Sequence, residues 1–117
     1  MISETLRTKL ILALDYPVLQ EAIQMIHKVR PVVTHYKVGL ELYSATGTDL
    51  FHFLNDEELD LFVDLKFHDI PNTVGQAVHR IMPYAPTLMT VHAFGGEKML
   101  RAAADAKNEH ENGDNTK

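Results

Sequence analysis

Four apolar segments recur along this chain about every 25 residues, and each is followed by a segment with helical periodicity. The apolar segments fit buried strands and cover residues 10–14, 32–38, 61–67 and 88–92. The intervening segments predict helices over residues 18–30, 44–56 and 71–82, and from Gly95-Gly96 through Ala106. Regular alternation of strand and helix is typical of parallel strands joined by right-handed crossovers. The order βαβαβαβα therefore predicts an α/β fold built from four βα units.

Length and composition limit the classes of protein that this chain could represent. Its 117 residues allow one domain at most, and a hydrophobic fraction of 45% is typical of a soluble globular protein. No long uncharged apolar run is present, so no membrane partner is expected. A cytoplasmic setting is the default expectation for a chain without cysteine. The absence of cysteine excludes disulfides and thiolate metal sites. A net charge of −5 argues against a nucleic-acid partner.

Charged residues stand at the end of the third apolar segment, where a buried strand would ordinarily stay apolar. Asp64 and Lys66 are two residues apart, so strand alternation predicts that both side chains point to one face. Asp69 follows in the loop, while Asp15 and Lys37 end the first and second strands. Because the carboxyl ends of parallel strands share one rim, we expect all five residues to converge there. Alternating charges at such a rim favour a reaction in which negative charge moves between atoms.

The amino-acid sequences of these segments resemble those of one enzyme family. The run Asp64–Thr73 (DLKFHDIPNT) is similar to the signature of the orotidine 5′-phosphate decarboxylases. Residues 12–15 (LALD), 36–41 (YKVGLE) and 91–96 (VHAFGG) match the same family in the same order. Four motifs in order over residues 10–100 make the resemblance specific.

The resemblance also implies the architecture, since the strand order alone would equally fit a flavodoxin-like sheet. The family has a (β/α)8 TIM-barrel fold, and a whole barrel takes about 250 residues. We therefore expect residues 1–106 to form the first four βα units, the N-terminal half of such a barrel. Residues 107–117 contain no apolar side chain and are expected to form a disordered tail.

The resemblance implies a reaction and the residues that carry it. Family members decarboxylate orotidine 5′-phosphate to uridine 5′-phosphate in de novo pyrimidine biosynthesis, with neither a metal nor an organic cofactor. Lys66 would donate a proton to C6 of the pyrimidine as carbon dioxide leaves. Asp64 would lie near the substrate carboxylate and disfavour its charge, and Lys37 and Asp69 would complete the catalytic network.

The resemblance further implies how the nucleotide is bound. Asp15 and Lys37 would contact the ribose, and Asp64 and Lys66 would line the reacting end of the substrate. Asp69 would reach into the site of a neighbouring subunit, so the expected partner is a second copy of the chain. Ile70 and Thr73 would frame the substrate across that homodimer interface.

Two alternative functions remain open from the sequence. Magnesium-dependent sugar-phosphate decarboxylases and aldolases on the same scaffold share the spacing of Asp64, Lys66 and Asp69, although Lys37 and the His68–Thr73 run favour the pyrimidine enzyme. A catalytically silent half-barrel that acts as an assembly module is the other alternative. In the family, the phosphate-binding arginine comes from the second half of the barrel. We therefore expect little or no turnover from this chain alone.

Several other residues also have simpler structural explanations. The seven histidines show no ligand spacing typical of a metal site, so no metal is expected, and His68 and His92 are interpreted as packing residues near the rim. Asp69 could also serve the N-terminus of the third helix, where negative charge is favoured. That role is compatible with catalysis.

Overall fold

The computed structural model describes residues 9–116, with side chains through residue 112. The four strands are β1 (Leu12–Ala13), β2 (His35–Gly39), β3 (Asp60–Phe67) and β4 (Leu88–Val91). The five α-helices of this part of the chain are α1 (Leu19–Val29), α2 (Leu40–Thr46), α3 (Asp49–Asp56), α4 (Pro71–Ile81) and α5 (Glu97–Thr116). Two short 3₁₀ turns cover Met82–Tyr84 and Ala93–Gly95.

The strands form one sheet in the order β1-β2-β3-β4. Parallel pairing aligns Leu12 of β1 with Tyr36 of β2, and Gly39 of β2 with Asp64 of β3. The predicted α/β fold with four parallel strands is therefore confirmed. The register also sets the starts of β2 and β3 level, His35 beside Asp60, so that β3 continues to Phe67 beyond the end of β2.

Two predicted boundaries were wrong for identifiable reasons. The single helix expected over 44–56 is two helices, because the chain turns at Gly47 with φ of 58°, a left-handed value that glycine adopts without steric cost. The second strand begins at His35 rather than at residue 32. The amides of Val32 and Val33 both donate to the carbonyl of Val29, so the turn after α1 takes up the first residues of the expected strand.

The last helix also runs further than the sequence indicated. Disorder was expected from residue 107, whereas α5 continues to Thr116. An ion pair of 3.4 Å joins Lys107 Nζ to Glu111 Oε1 one turn later, and His79 Nε2 of α4 lies 3.3 Å from Glu109 Oε2. The i,i+4 pair within α5 and the contact with α4 support the end of a helix whose last residues, from 107 onward, are polar. Lys117 and the residues before Lys9 lie outside the described part.

The chain divides into two compact units. The first contains the described residues through Leu65 together with Pro86–Leu88. Its core comes from β1–β3 and the helices α1–α3, and its largest fully buried side chains are Tyr36, Phe51, Leu14, Ile26, Leu42, Leu50, Leu54, Leu61, Val38 and Val63.

The second unit contains Lys66–Ala85 and the described residues from Met89 onward. Helices α4 and α5 pack on each other around Val74, Val78, Met82, Met99, Ala103 and Ala106. A Cβ on Gly75 would lie 3.6 Å from the carbonyl oxygen of Ala102, so the two helices approach closely at that point. None of the helices in the described residues is both long and apolar enough to span a membrane.

Candidate active site

In the first unit, a lysine and an aspartate meet across neighbouring strands. Lys37 Nζ of β2 lies 3.4 Å from Asp64 Oδ2 of β3. Asp64 is 7% exposed and is the buried charged residue among those described. A carboxylate removed from water is costly unless a cation or hydrogen-bond donors compensate it. Lys37 therefore supplies a positive charge that compensates the buried Asp64 carboxylate.

Asp15 approaches the same strand ends from β1. A Cβ built on Gly39 would lie 3.7 Å from Asp15 Oδ1 and 3.8 Å from the Asp64 carbonyl oxygen. The Leu14 amide donates to the Lys37 carbonyl at 2.9 Å, which continues the sheet up to Asp15. The structure thus brings Asp15, Lys37 and Asp64 together near the ends of β1 and β2, where β3 continues alongside. A Cβ at Gly39 would make only ordinary contacts there, so this approach does not depend on the glycine.

In the second unit, Lys66 has an unusual backbone for a strand residue. Its φ is 50°, and its amide donates to Thr90 Oγ1 at 3.0 Å. Left-handed backbone at a residue with a Cβ costs about 1–2 kcal/mol. The other described non-glycine residues with positive φ, Glu58 and Ala85, lie outside strands. The alternation argument that placed Lys66 and Asp64 on one face assumed extended backbone, and that assumption was wrong at Lys66.

The remaining predicted site residues surround the start of α4. Asp69 Oδ1 accepts the amide of Ile70 at 2.7 Å, and Pro71 is the first residue of the helix. Ile70 is 65% exposed, and Asp69 and Thr73 are also exposed. An open depression here is lined by His68, Asp69, Ile70, Pro71 and Gly95. The structure therefore presents this group of residues to the outside.

A stack of three aromatic rings beside this depression was missed by sequence reasoning. The His68 and His92 rings stack at 4.7 Å with 17° between their planes, and His92 and Phe94 stack at 5.5 Å with 27°. Phe94 is 88% exposed, and its amide donates to His92 Nδ1 at 3.1 Å. His68 and His92 had been recognised separately as packing residues. A single sequence carries no signal that would pair residues 24 positions apart.

Acidic and histidine residues elsewhere do not gather around a common point. Within residues 9–116, no group of three or more histidine, aspartate or glutamate side chains is placed to hold a metal ion. At the strand ends, the described residues instead include a lysine–carboxylate contact between Lys37 and Asp64.

A parallel α/β sheet with catalytic residue types at the carboxyl ends of its strands is the arrangement used by β/α-barrel enzymes. The chain belongs to the orotidine 5′-phosphate decarboxylase / HUMPS family, whose model matches residues 8–114. The predicted family resemblance is thereby confirmed.

Individual relatives agree with this assignment. The orotidine 5′-phosphate decarboxylase of Methylacidiphilum infernorum is 44% identical over 98 residues, which are 84% of this chain and 43% of the relative. That of a Nostoc species is 45% identical over 101 residues, 86% of this chain and 42% of the relative. The chain therefore spans less than half the length of the curated relatives it matches.

Two crystal structures share the fold. The orotidine 5′-phosphate decarboxylase from Lactobacillus acidophilus superposes with a TM-score of 0.75 at 35% identity, over 83% of this chain and 44% of that one. An uncharacterized conserved protein from Geobacillus kaustophilus gives a TM-score of 0.77 at 40% identity, over 82% of this chain and 45% of that one.

Proposed function

We propose that this chain supplies the charged part of an active site that decarboxylates orotidine 5′-phosphate to uridine 5′-phosphate, a step in pyrimidine biosynthesis. The observation that carries the proposal is the Lys37–Asp64 pair, in which a buried carboxylate is held 3.4 Å from an ammonium group at the ends of parallel strands. The names of the relatives support the same substrate and reaction.

Lys66 is the proton donor in this proposal. The bond between C6 and the carboxylate carbon breaks, carbon dioxide leaves, and the electron pair stays on C6. The Nζ–H bond of Lys66 then breaks, and its proton joins C6 to give the product. The step balances with that one proton, and the lysine regains a proton from solvent. The same strand carries Asp64 two residues earlier.

Asp64 acts on the substrate before the bond breaks. A negative carboxylate on the protein beside the substrate carboxylate disfavours the ground state, and this repulsion is relieved as neutral carbon dioxide departs. Lys37 lies 3.4 Å from the buried Asp64 carboxylate and offsets the cost of burying its charge. Asp15, whose carboxylate lies beside Gly39, and Lys37 are proposed to hold the ribose hydroxyls.

Asp69, Ile70 and Thr73 are proposed to serve the site of a second copy of the chain. All three are exposed at the start of α4, and an apolar side chain that is 65% exposed at Ile70 is suited to burial in an interface. Asp69 would complete the partner's charged network. Activity would then require a homodimer.

Phosphate binding is expected to need residues beyond those of this chain. A barrel's phosphate site usually follows its last two strands, and this chain contributes four. Because binding energy at a remote phosphate commonly drives the chemical step, we expect the chain alone to turn over little or no substrate.

A chimera tests the proposed function directly. Residues 9–106 of this chain would replace the matching segment of the Methylacidiphilum infernorum relative. The loss of absorbance as orotidine 5′-phosphate is consumed would be followed with and without a chelator. The chimera should decarboxylate the substrate, and chelator should leave the rate unchanged. Lys66→Ala should lower the rate about 10²–10⁴-fold. Strong inhibition by chelator would instead favour the magnesium-dependent sugar-phosphate enzymes.

A second lysine provides the matched control. Lys98 is an exposed residue of α5, so Lys98→Ala changes the same residue type away from the strand ends. It should leave the rate within about twofold of the chimera. Equal losses for Lys66→Ala and Lys98→Ala, or a folded chimera without activity, would contradict the proposal.

A further inference from the structure

Lys66 adopts a conformation that its neighbours in the strand do not share. Parallel strands have φ near −120°, whereas Lys66 has φ of 50°. The Cβ of a lysine makes this region unfavourable, so a residue remains there only when surrounding contacts hold it. The contacts that hold Lys66 are therefore informative.

Two hydrogen bonds join Lys66 and the next residue, Phe67, to the segment that contains β4. The Lys66 amide donates to Thr90 Oγ1 at 3.0 Å, and the next carbonyl, that of Phe67, accepts the His92 amide at 3.0 Å. In a regular parallel ladder, a strand amide donates to a backbone carbonyl of its neighbour. Here the Lys66 amide has a side-chain hydroxyl as an acceptor. This hydroxyl acceptor is found at the one described strand residue whose φ is positive.

We propose that Thr90 is a positioning residue for Lys66. Its hydroxyl oxygen fixes the amide of Lys66 in the orientation that the left-handed backbone requires, and so sets the direction of the bond from Cα to Cβ that carries the ammonium group. The inference rests on the proposed function, in which Lys66 donates the proton. It adds a residue of β4 that acts on the reaction through Lys66.

The geometry explains why a threonine suits this position. A proton donor must be held within about 0.5 Å of its productive place, and a lysine has a long flexible stem. Fixing the backbone removes one source of that freedom. Threonine is β-branched, which restricts its first side-chain torsion and keeps the hydroxyl oxygen in place. Valine has the same branching without the hydrogen-bond acceptor.

Thermal unfolding of the whole chain tests the hold on the backbone without any substrate. Because glycine tolerates positive φ, Lys66→Gly should melt about 4–8 °C above Lys66→Ala. In chains that also carry Thr90→Val, the backbone at position 66 is released toward the extended region, and the glycine advantage should fall to less than about half. A merely structural role for Thr90 would lower both melting temperatures equally.

Thr87 provides the matched control. Its hydroxyl donates to the Leu61 carbonyl at 3.0 Å, just before β4 begins. Thr87→Val removes a hydroxyl that is bonded to Leu61 of β3, which lies five residues before Lys66 in the same strand. It should leave the glycine advantage at position 66 unchanged. Loss of the advantage in the Thr87→Val chain would overturn the assignment to Thr90.

A spectroscopic measurement gives a second readout if Thr90→Val does not fold. In the unaltered chain labelled with ¹⁵N and ¹³C, the amide coupling constant and Cα shift of Lys66 should report positive φ. Thr90→Ser, which keeps the hydroxyl, should preserve both values. Extended backbone at Lys66 in the unaltered chain, or in the Thr90→Ser chain, would overturn the proposal.

The outcomes separate this inference from the proposed function. A glycine advantage that survives Thr90→Val overturns the positioning role even if the chimera decarboxylates orotidine 5′-phosphate. An inactive, folded chimera overturns the proposed function, even if the thermal comparison gives the expected result. The positioning of Lys66 by Thr90 would then have no role in catalysis. Both expected results together support Thr90 as the residue that positions the proton donor.

Discussion

Lys37 and Asp64 face each other from adjacent parallel strands, with Nζ 3.4 Å from Oδ2. The Lys37 side chain is 27% exposed and that of Asp64 is 10% exposed. Solvent therefore screens this pair less than it screens the ion pairs of α5. Each charge compensates the other, and the effect of the pair on the free energy of unfolding can be measured.

Removing Lys37 should destabilise the chain more than removing a surface cation. Lys37→Met removes the Lys37 cation beside the buried Asp64 carboxylate, at a cost of about 1–3 kcal/mol in the free energy of unfolding. Urea unfolding would measure this cost. Combining the change with Asp64→Leu should recover part of the loss, because both charges then leave the interior.

The ion pair between Arg101 and Glu97 is the control for this prediction. Its side chains are 73% and 76% exposed, and Nη2 lies 2.6 Å from Oε1. Arg101→Met should cost less than about 1 kcal/mol, since exposed pairs contribute little. If Lys37→Met costs no more than Arg101→Met, the buried pair is not coupled as described.

His35 should make the stability of the chain depend on mildly acidic pH. Burial lowers the pKa of His35 below its ordinary value of 6.5, an effect that nearby Asp60 partly opposes. The unfolded chain thus takes up this proton at a higher pH than the folded chain does. The stabilising contribution is present above pH 6.5 and is lost as pH falls through that value toward the lower pKa of the folded state.

A histidine variant checks the sign of this effect. Urea unfolding of the His35→Gln chain should show a smaller loss of stability between about pH 7 and pH 5 than the unaltered chain. His52→Gln, at an exposed position of α3, should keep the original dependence. An identical pH dependence in the His35→Gln chain would refute the prediction.

Two glycine-to-alanine changes should have opposite effects. Gly75 lies within α4, and a Cβ there would meet the Ala102 carbonyl oxygen at an ordinary 3.6 Å. Gly75→Ala should raise stability by about 0.5–1 kcal/mol, because alanine lowers the entropy of the unfolded chain and favours helix. A clear loss of stability would mean that the two helices approach more closely than the structure shows.

At Gly95, a Cβ would lie 2.0 Å from Sδ of Met99, which is fully buried. Gly95→Ala should cost about 1–3 kcal/mol, because Met99 must move within a packed core. The double variant Gly95→Ala with Met99→Ala tests this cause. The added alanine should cost less when the methionine side chain is already short, and an unchanged cost would rule out the clash.

The end of α5 gives a prediction about local order. Hydrogen exchange at residues 107–111 should be slower than in an unfolded chain, because the helix continues through them. Glu111→Ala removes the partner of Lys107 and should speed exchange in this turn only. If residues from 107 onward exchange as fast as in an unfolded chain, this polar segment does not form a stable helix.

The sequence by itself determined the α/β alternation, the family and the grouping of Asp15, Lys37 and Asp64 near the ends of β1 and β2. These follow from local patterns, since apolar runs, helical periodicity and short motifs are each contained within a few neighbouring residues. The bounds of α4 were also predictable to within one residue, because Pro71 begins the helix and Pro83 follows its end.

Tertiary structure decided what depends on residues far apart in the chain. The left-handed backbone of Lys66 is stabilised by a hydroxyl 24 residues away, and the histidine stack pairs residues that are equally distant. Strand periodicity assigns every residue the same extended backbone, so it could not reveal the exception at Lys66. Only the packing of β4 beside β3 supplies the oxygen that makes that exception stable.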